Sequence, residues 1–410
     1  MNWYPFEGSA TPIFAAVLRH LKQKGHSVTI LTSIPYFLKG RQERWTAYRG
    51  KWYVRETWQD MAVHRVRVFS PRFLSKTPLL LRAVNAMSYS LHLFAASLVA
   101  GRFDAVMTIS HPPLLAGITA VAISRIKRCP GVYCLEDIYP DILEDLQIVK
   151  TGPCLHFLKR IEGFIYAHFP AICVLSEQMR TNLLEKCVAG KRLSVIPHFS
   201  EQEAVVPPRD NPVSRRFGLL SHFVVLLPGS LTYRSGLDTV LAAAKHLRDD
   251  TRIRFVLIDR GDLRHQCKEA IQRENLANVT LVPFLPAEDF ACLLAAADVC
   301  LVSLERGFDR YSAPSKLYRV MASRRAVLAV AEGEGQVAHT VKAAACGLVV
   351  EPHDAKALAK AIVKLADNAD ACRAMGERGA EYAAAHFSEA SSCRAYERLL
   401  HELVETGKGS

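Results

Sequence analysis

Short apolar runs alternate with amphipathic stretches along most of the chain. Between residues 11 and 24, Phe14, Val17 and Leu21 recur at helical spacing, so one face of this stretch is apolar. Apolar runs typical of buried strands follow at residues 28–32, 62–69, 105–109, 131–135, 171–175 and 193–196. Because strands that alternate with helices pair in parallel, the first half is predicted to form a doubly wound α/β sheet.

The alternation stops in a polar, proline-rich stretch and then begins again. Residues 200–213 contain Pro207, Pro208 and Pro212, which indicates a linker. Beyond it, apolar runs predict six strands, at residues 223–228, 253–258, 279–283, 299–303, 326–330 and 347–350. A chain of 410 residues is long enough for two such cores. We therefore expect domains over residues 1–199 and 214–388, joined by a linker over 200–213 and followed by a last helix within 389–410.

The stretch from Gly229 to Lys316 carries the clearest chemical signal. An apolar strand runs into a glycine turn at Gly229 and Ser230, and a helical pattern follows. Free backbone N–H groups and the helix dipole make such a turn an anion site. Arg234 lies in this turn, and Lys316 lies at the start of a later helical pattern. Two such cations could hold a diphosphate between them, which suggests a nucleotide-sugar enzyme.

Two segments resemble sequence motifs of family-4 glycosyltransferases. Residues 228–238, Pro-Gly-Ser-Leu-Thr-Tyr-Arg-Ser-Gly-Leu-Asp, resemble the family's G-N-x-G-x-x-x-G-L turn. Residues 313–322, Ala-Pro-Ser-Lys-Leu-Tyr-Arg-Val-Met-Ala, resemble its V-P-S-K-L-Y-E-I-M-A segment. The resemblance covers nearly the whole chain and is greatest to the branch that builds colanic-acid and O-antigen polysaccharides.

The resemblance implies a GT-B fold, in which two doubly wound, Rossmann-like domains face a cleft. The first domain would take the acceptor, the second would bind the nucleotide sugar, and the last helix would cross back onto the first domain. The family begins with a strand before a loop that residues 2–8 resemble, but only Met1 precedes this loop here. The first strand is therefore expected to be missing, either because the true start lies upstream or because the sheet tolerates the loss.

The implied reaction is transfer of a sugar from a UDP- or GDP-linked donor to a polyprenyl-diphosphate-linked saccharide, with retention of configuration. Arg234, Lys316 and helix N-termini would stabilise the leaving diphosphate in place of a metal ion. The sequence contains no D-x-D motif and no cluster with metal-ligand spacing, and no cofactor is implied beyond the nucleotide-sugar co-substrate. Two alternatives stay open: a nucleotide-sugar isomerase on the same fold, and a non-catalytic partner subunit.

Three residues of the first domain are candidates for ligand contacts. Gly8, in the first loop, would let the backbone approach the donor closely. His111 follows a predicted strand and could bond a sugar hydroxyl or the acceptor, although a lone histidine is more often structural. Asp137 lies in Glu-Asp-Ile-Tyr-Pro-Asp, which is similar to the family's Q-D-L-W-P-D. It could orient the acceptor hydroxyl or act as a base, and capping a helix is the simpler role.

Three further residues of the second domain are candidates for donor binding. Two of them follow predicted strands, and the third precedes Lys316. Gly261 lies where the family has G-x-G, but Asp259 replaces the first glycine and brings a negative charge near the nucleotide. Phe284 follows a strand, in the segment whose backbone contacts the base in the family. Ser315 directly precedes Lys316.

The family's E-x7-E pair is absent from its usual position. Its two glutamates fall on Tyr311 and Arg319 in this chain. Glu332 and Glu334, which follow a predicted strand, are therefore the candidates for a carboxylate that holds sugar hydroxyls.

The basic residues are unevenly distributed. Residues 1–200 carry 25 Lys and Arg against 13 Asp and Glu, whereas residues 201–410 carry 27 of each. Within the first half, residues 41–58 are dense in Arg, Trp and Tyr, which predicts contact with an anionic membrane surface. A structured loop, and then stacking on nucleic acid, are the less favoured interpretations. Residues 83–100 are apolar but carry Asn85 and several serines, so they predict a core or interfacial helix instead of a membrane span.

The cysteine pattern indicates a reducing compartment. The eleven cysteines include no C-x-x-C pair and lie mostly in apolar context, as expected of small core residues. Together with the basic first half, this predicts a cytoplasmic protein that is peripheral on the inner face of the plasma membrane.

Overall fold

The computed structural model describes residues 10–34, 47–71, 73–74, 77–199, 206–313 and 315–408. Gly8, and residues 41–46 of the basic, aromatic stretch, lie outside the described residues. The chain divides into two compact units. The first comprises Met1–Leu175, Asn182–Ile196 and Ser392–Ser410, and the second comprises Ser176–Thr181 and Pro197–Ser391.

The described strands of the first unit form two separate sheets. A three-stranded sheet has the order β1-β3-β2, and a parallel four-stranded sheet has the order β4-β5-β6-β7. The strands are β1 (Thr29–Ser33), β2 (Tyr53–Trp58), β3 (Met61–Val66), β4 (Val106–Ile109), β5 (Gly131–Cys134), β6 (Ala171–Val174) and β7 (Leu193–Val195). The helices are α1 (Thr11–Gln23), α2 (Pro78–Val99), α3 (Leu115–Lys127), α4 (Asp141–Asp145) and α5 (Pro153–His168), and α6 (Glu177–Glu185) has residues in both units.

Strand β2 is an element that the sequence analysis missed. It pairs antiparallel with β3, with Tyr53 opposite Val66 and Trp58 opposite Met61. Its residues alternate between exposed and half-buried, so no continuous apolar run marks it. The pairing is fixed by Arg65 of β3, which is fully buried and donates to the Glu56 carboxylate at 2.5 Å. Part of the basic, aromatic stretch is therefore an edge strand and not a loop.

The last helix, α15 (Glu389–Lys408), packs on the first unit through most of its length. Tyr396 is fully buried, with its ring centroid 5.9 Å from that of Phe14 and its hydroxyl 3.6 Å from the Cys173 sulfur. His20 of α1 contacts the Glu397 carboxylate at 2.8 Å. One buried ring and one polar contact thus fasten the end of the chain to elements near its beginning.

The second unit is built on one parallel six-stranded sheet of order β10-β9-β8-β11-β12-β13. The strands are β8 (Phe223–Leu227), β9 (Ile253–Ile258), β10 (Val279–Val282), β11 (Val299–Ser303), β12 (Ala326–Val330) and β13 (Gly347–Val350). The helices are α7 (Pro212–Arg216), α8 (Leu237–His246), α9 (Arg264–Arg273), α10 (Ala287–Ala296), α11 (Lys316–Ala322), α12 (Gln336–Ala343), α13 (Ala355–Ala366) and α14 (Ala369–His386).

Alternate residues of each central strand enter two apolar cores, one on either face of this sheet. Leu226 and Cys300 pack in one core, and Val225 and Leu301 pack in the other. Strands covered on both faces need continuous apolar runs, which is why the six strands of this unit were visible in the sequence. The prediction of doubly wound α/β domains is confirmed.

Candidate active site

The strand order of the second unit has a switch point between β8 and β11. After β8 the chain moves outward to β9 and β10, then returns to β11 on the other side of β8. Loops that follow the two strands therefore run in opposite directions, and the crevice between them is the usual ligand site of open α/β sheets. Arg234 lies in the loop after β8, and Lys316 is the first residue of α11 after β11. The two predicted cations thus belong to the two loops that flank the switch point.

Direct contacts join these two loops. The Glu305 N–H donates to the Arg234 carbonyl oxygen at 3.0 Å, and Nη1 of Arg234 donates to the Ser312 hydroxyl at 3.2 Å. Gly236 has a φ of +54°, and a β-carbon there would lie 2.6 Å from the Ser303 hydroxyl. Gly236 therefore lets the loop after β8 lie against the end of β11. This contact brings Arg234 and Lys316 close together.

Lys316 occupies an unfavourable environment for a charged group. Its Nζ donates to the Ser303 carbonyl oxygen at 3.4 Å, and within the described residues no carboxylate pairs with it. Burial and the nearby Arg234 guanidinium lower the pKa of Lys316 to about 8. Perturbed groups of this kind concentrate at functional sites, because a bound ligand of opposite charge reverses the cost. The pair is suited to an anion.

The glycine turn after β8 leaves room beside these cations. Gly229 has a φ of +121°, and a β-carbon at this position would meet no atom within 4 Å. Ser230 and Ser315 are exposed, and the Ser315 side chain does not cap α11. The three residues predicted beside the donor therefore present unobstructed backbone or hydroxyl groups.

Gly261 has a packing role that the sequence analysis did not anticipate. Its φ is +116°, and a β-carbon there would overlap the Leu231 carbonyl oxygen. The Leu231 N–H donates to the Arg260 carbonyl at 2.7 Å, and the Leu263 N–H donates to the Leu231 carbonyl at 3.1 Å. The close backbone approach at Gly261 is thus to the loop after β8.

An exposed cation–π pair lies at the ends of β9 and β10. The guanidinium of Arg260 lies 4.1 Å from the centroid of the Phe284 ring, and Phe284 is 65% exposed. Asp259, which replaces the family's glycine, pairs with Lys268 at 2.6 Å. The charge introduced at Asp259 is therefore balanced within the protein.

A buried carboxyl group, Asp309, lies in the loop after β11 and was missed in the sequence. Burial and the neighbouring Glu332 raise the pKa of Asp309 to about 7, while a hydrogen bond with the Val337 backbone opposes the rise. A side chain at Gly335 would overlap this carboxylate. The only sequence signal was an acid a few residues before the Ala-Pro-Ser-Lys segment, which does not distinguish a buried acid from a solvated one.

The two glutamates proposed as substitutes for the E-x7-E pair have different surroundings. Glu332 accepts a hydrogen bond from the Gly307 N–H at 2.8 Å, and its carboxylate lies 4.0 Å from the Arg306 guanidinium. These contacts stabilise the loop after β11. Glu334 is exposed in the turn before α12.

The two candidates of the first unit follow neighbouring strands. Ile109 of β4 is in register with Cys134 of β5, so His111 and Asp137 both lie at the carboxyl end of this sheet. His111 is exposed, whereas Asp137 is 8% exposed. Asp137 also lies with Ser110, Tyr139, Glu162 and Tyr166 around a crevice that is too narrow to hold a water molecule.

Glu162, which lines this crevice, also belongs to an ionic cluster that was not predicted from the sequence. Lys186 contacts Glu162 at 2.6 Å and Asp141 at 2.8 Å, and the Asn182 amide donates to Asp141 at 3.3 Å. Burial raises the pKa of Glu162 despite the lysine. Asp141 is therefore held in a structural cluster next to the segment that carries Asp137.

Within the described residues, no group of three or more His, Cys, Asp or Glu side chains is placed to hold a metal ion. In the same part of the chain, no helix is long and apolar enough to cross a membrane.

Comparison with protein families decides the class of enzyme. The family "Glycosyl transferase 4-like domain" matches residues 8–198, and the family "Glycosyl transferases group 1" matches residues 217–382. The chain belongs to the glycosyltransferases with the GT-B fold. The two family matches account for nearly the whole of both units, and the second includes Arg234 and Lys316.

Similar proteins agree with this assignment. This glycosyltransferase is 26% identical over 298 residues to "Probable glycosyltransferase WbjE" of Pseudomonas aeruginosa, covering 72% of this chain and 74% of the relative. It is 24% identical over 354 residues to "Putative colanic acid biosynthesis glycosyl transferase WcaI" of Escherichia coli K12, covering 83% and 84%.

Solved structures share the fold. The sucrose-phosphate synthase of Thermosynechococcus elongatus has a TM-score of 0.74 at 18% identity, covering 97% of this chain and 94% of the other. HepE of Anabaena, in complex with UDP and glucose, has a TM-score of 0.67 at 15% identity, covering 98% of both chains. The GT-B fold expected from the sequence is therefore confirmed.

Proposed function

We propose that this glycosyltransferase moves a sugar from a nucleotide-diphosphate donor to a polyprenyl-diphosphate-linked saccharide during cell-surface polysaccharide synthesis. The proposed donor nucleotide is UDP or GDP. The names of the relatives WbjE and WcaI support a role in polysaccharide assembly, and the UDP-bound neighbour HepE supports a nucleotide sugar.

The observation that carries the proposal is the Arg234–Lys316 pair at the switch point. Two cations held close together in a partly buried crevice repel each other unless an anion lies between them. A diphosphate offers the oxygens that a forked guanidinium and an ammonium group bind well. The Arg234–Lys316 pair is therefore the proposed binding site of the donor diphosphate, with Gly229, Ser230 and Ser315 beside it.

In the proposed reaction, the bond between the sugar's anomeric carbon and the β-phosphate oxygen breaks. The acceptor hydroxyl oxygen forms the new bond to that carbon and loses its proton. Negative charge then grows on the leaving diphosphate, and fixed positive charge from Arg234 and Lys316 stabilises it without reorganisation. This arrangement supports a reaction without a divalent metal ion, and we propose retention of configuration from the family resemblance.

Asp137 and His111 are the proposed contacts to the acceptor. Both residues follow adjacent strands of the first unit and lie at the same edge of its sheet. A carboxylate or imidazole could orient the acceptor hydroxyl and accept its proton. Asp137→Asn and His111→Ala should then reduce turnover while leaving donor affinity unchanged.

Titration with UDP, GDP and their sugars tests the donor site, with thermal shift as the first screen. Arg234→Ala should weaken binding of the accepted nucleotide by about 1.5–3 kcal/mol, the range for charge-assisted hydrogen bonds. Arg248→Ala is a matched control, because Arg248 is an exposed arginine of the same unit, beyond α8. Unchanged nucleotide affinity in Arg234→Ala would contradict the proposed donor site.

Transfer to a polyprenyl-linked saccharide tests the acceptor. Release of nucleoside diphosphate that requires this saccharide supports the proposal. Conversion of the nucleotide sugar without any acceptor would indicate an isomerase, and donor binding without turnover would indicate a partner subunit.

A further inference from the structure

The outward face of α2 is apolar along its whole length. Leu80, Met87, Leu91 and Leu98 are 52%, 62%, 66% and 51% exposed. Their spacings of seven, four and seven residues bring each of them back to nearly the same angle around a helix of 3.6 residues per turn. These four side chains form one apolar stripe, the α2 stripe.

The inner face of α2 is occupied by the protein's own core. Tyr89 and Ala96 lie opposite the α2 stripe and pack with Val66 and Val68. A surface helix that buries one face usually carries charged residues on the other. The α2 stripe has none, and contiguous exposed apolar surface of this kind marks an interaction site.

Exposed aromatic rings extend this apolar surface beside the helix. Phe69 is 50% exposed, and its backbone N–H donates to the Ser88 hydroxyl of α2 at 3.0 Å. Trp52 is 60% exposed, and its ring meets the His92 ring of α2 edge-on at 6.0 Å. Such amphipathic rings are favoured where an apolar interior meets lipid headgroups.

The charged residues in the sequence segment that carries α2 have one sign. Between Asp60 and Asp104 the sequence contains six Lys or Arg and no Asp or Glu. The Arg67 guanidinium lies 4.9 Å from the Trp52 ring. Nζ of Lys127 donates to the Leu98 and Gly101 carbonyls at the carboxyl end of α2. Cations thus border the stripe at its side and at one end.

We infer that the α2 stripe docks on an anionic lipid bilayer, with α2 lying in the plane of the interface. The apolar side chains would enter the boundary between headgroups and acyl chains, and the bordering cations would meet anionic headgroups. Leucines at this spacing also fit a second copy of the chain, but that contact would bring the same cations together. The inference refines the proposed membrane acceptor, and lipid binding is measured without any sugar transfer.

Vesicle sedimentation with the full chain tests this inference. Phosphatidylglycerol–phosphatidylcholine vesicles should bind it, phosphatidylcholine vesicles should bind it at least tenfold more weakly, and high salt should weaken but not abolish binding to the anionic vesicles. Met87→Glu combined with Leu91→Glu should reduce binding to anionic vesicles at least tenfold. The matched control combines Leu184→Glu with Leu220→Glu, which adds the same charge at two exposed leucines elsewhere.

Two further measurements separate folding, dimerisation and catalysis from docking. Thermal unfolding, and affinity for whichever of UDP and GDP the wild-type chain binds, should be the same in both double variants. An unfolded α2 variant would therefore be recognised. In that case Leu91→Trp would report insertion through quenching by brominated lipid. Equal binding of the α2 variant and the control to anionic vesicles would overturn the inference. So would a dimer of the wild-type chain that the α2 variant dissociates without any change in vesicle binding. Absence of sugar transfer would affect only the proposed function.

Discussion

Arg234 lies beside Lys316 at the switch point of the second sheet, and burial and this guanidinium together lower the pKa of the lysine to about 8. The protein therefore maintains, without ligand, a charge that destabilises its own fold. In a site that binds its ligand through such a group, the group lowers the stability of the free protein and raises its affinity for the ligand. Substitution of Lys316 and titration of pH separate the two effects.

Removing the Lys316 charge should weaken donor binding without weakening the fold. Lys316→Met should reduce affinity for the nucleotide sugar by about 1.5–3 kcal/mol, because one charge-assisted contact is lost. The free energy of unfolding at pH 7 should stay the same or rise, since a partly buried cation disappears. Calorimetric titration and denaturant unfolding measure the two quantities. Lys245→Met, which removes an exposed lysine of the same unit, should change neither strongly. Loss of stability with unchanged affinity would mean that Lys316 is structural.

Donor affinity should fall as the pH rises above about 8. A bound diphosphate favours the charged lysine, so the pKa of Lys316 is higher in the complex than in the free protein. Between these two pKa values binding takes up a proton, and affinity falls by up to about tenfold per pH unit. Titrations between pH 7 and 9.5 in buffers of different ionisation enthalpy would detect the proton. Lys316→Arg should flatten the profile because arginine stays charged. A flat profile in the wild-type protein would rule out this lysine as a diphosphate ligand.

Asp309→Asn should stabilise the protein above pH 7. The pKa of Asp309 is raised from 3.8 to about 7, so its contribution to stability is full below pH 3.8 and is lost as the pH rises through 7. At pH 8 the buried charge is present, and replacing it should raise the free energy of unfolding by about 1–3 kcal/mol. The gain should shrink toward pH 4, as denaturant midpoints at the two pH values would show. Asp249→Asn, at a 94% exposed side chain, is the control. A net loss of stability at pH 8 would indicate that ionised Asp309 has a compensating partner.

Truncating Tyr396 should destabilise the first unit. Its ring is fully buried between α15 and the body of the unit, so Tyr396→Ala should cost about 3–5 kcal/mol, as for other large buried rings. Thermal unfolding would measure the change, with exposed Arg394→Ala on the same helix as control. A small effect of Tyr396→Ala would show that α15 contributes little to this unit.

Sugar transfer should persist in excess chelator. In the proposed reaction, Arg234 and Lys316 would supply the positive charge that a divalent ion would otherwise provide to the leaving diphosphate. The assay compares initial rates in EDTA with rates in added magnesium or manganese. A strict requirement for either ion would contradict the proposed role of the two cations.

The sequence predicted the second unit well because its sheet is buried on both faces. Such strands need continuous apolar runs, and all six were recognisable together with the intervening helices. The glycine turn before Arg234 and the helix start at Lys316 could be predicted for a related reason, since backbone geometry and residue type at a helix start are local properties. The strand β2 was missed because its outer face is exposed and its stability comes from pairing with β3, including the Glu56 contact to buried Arg65.

Residue types along the chain thus determined the alternation of strands and helices, the two doubly wound domains and the presence of two cations near glycine turns. Tertiary structure decided how deeply each group is buried and which charges lie near it. The pKa of Lys316 is lowered to about 8 because the fold buries this lysine and because the return of the chain to β11 places it beside Arg234. Asp309 is a buried acid, and Gly335 leaves space for its carboxylate. Gly261 allows its own loop to pack against the loop after β8, which is also a contact between distant segments. The α2 stripe is exposed because Tyr89 and Ala96, on the other face, fill the core. Burial and charge proximity depend on contacts between distant segments, and no local pattern encodes them.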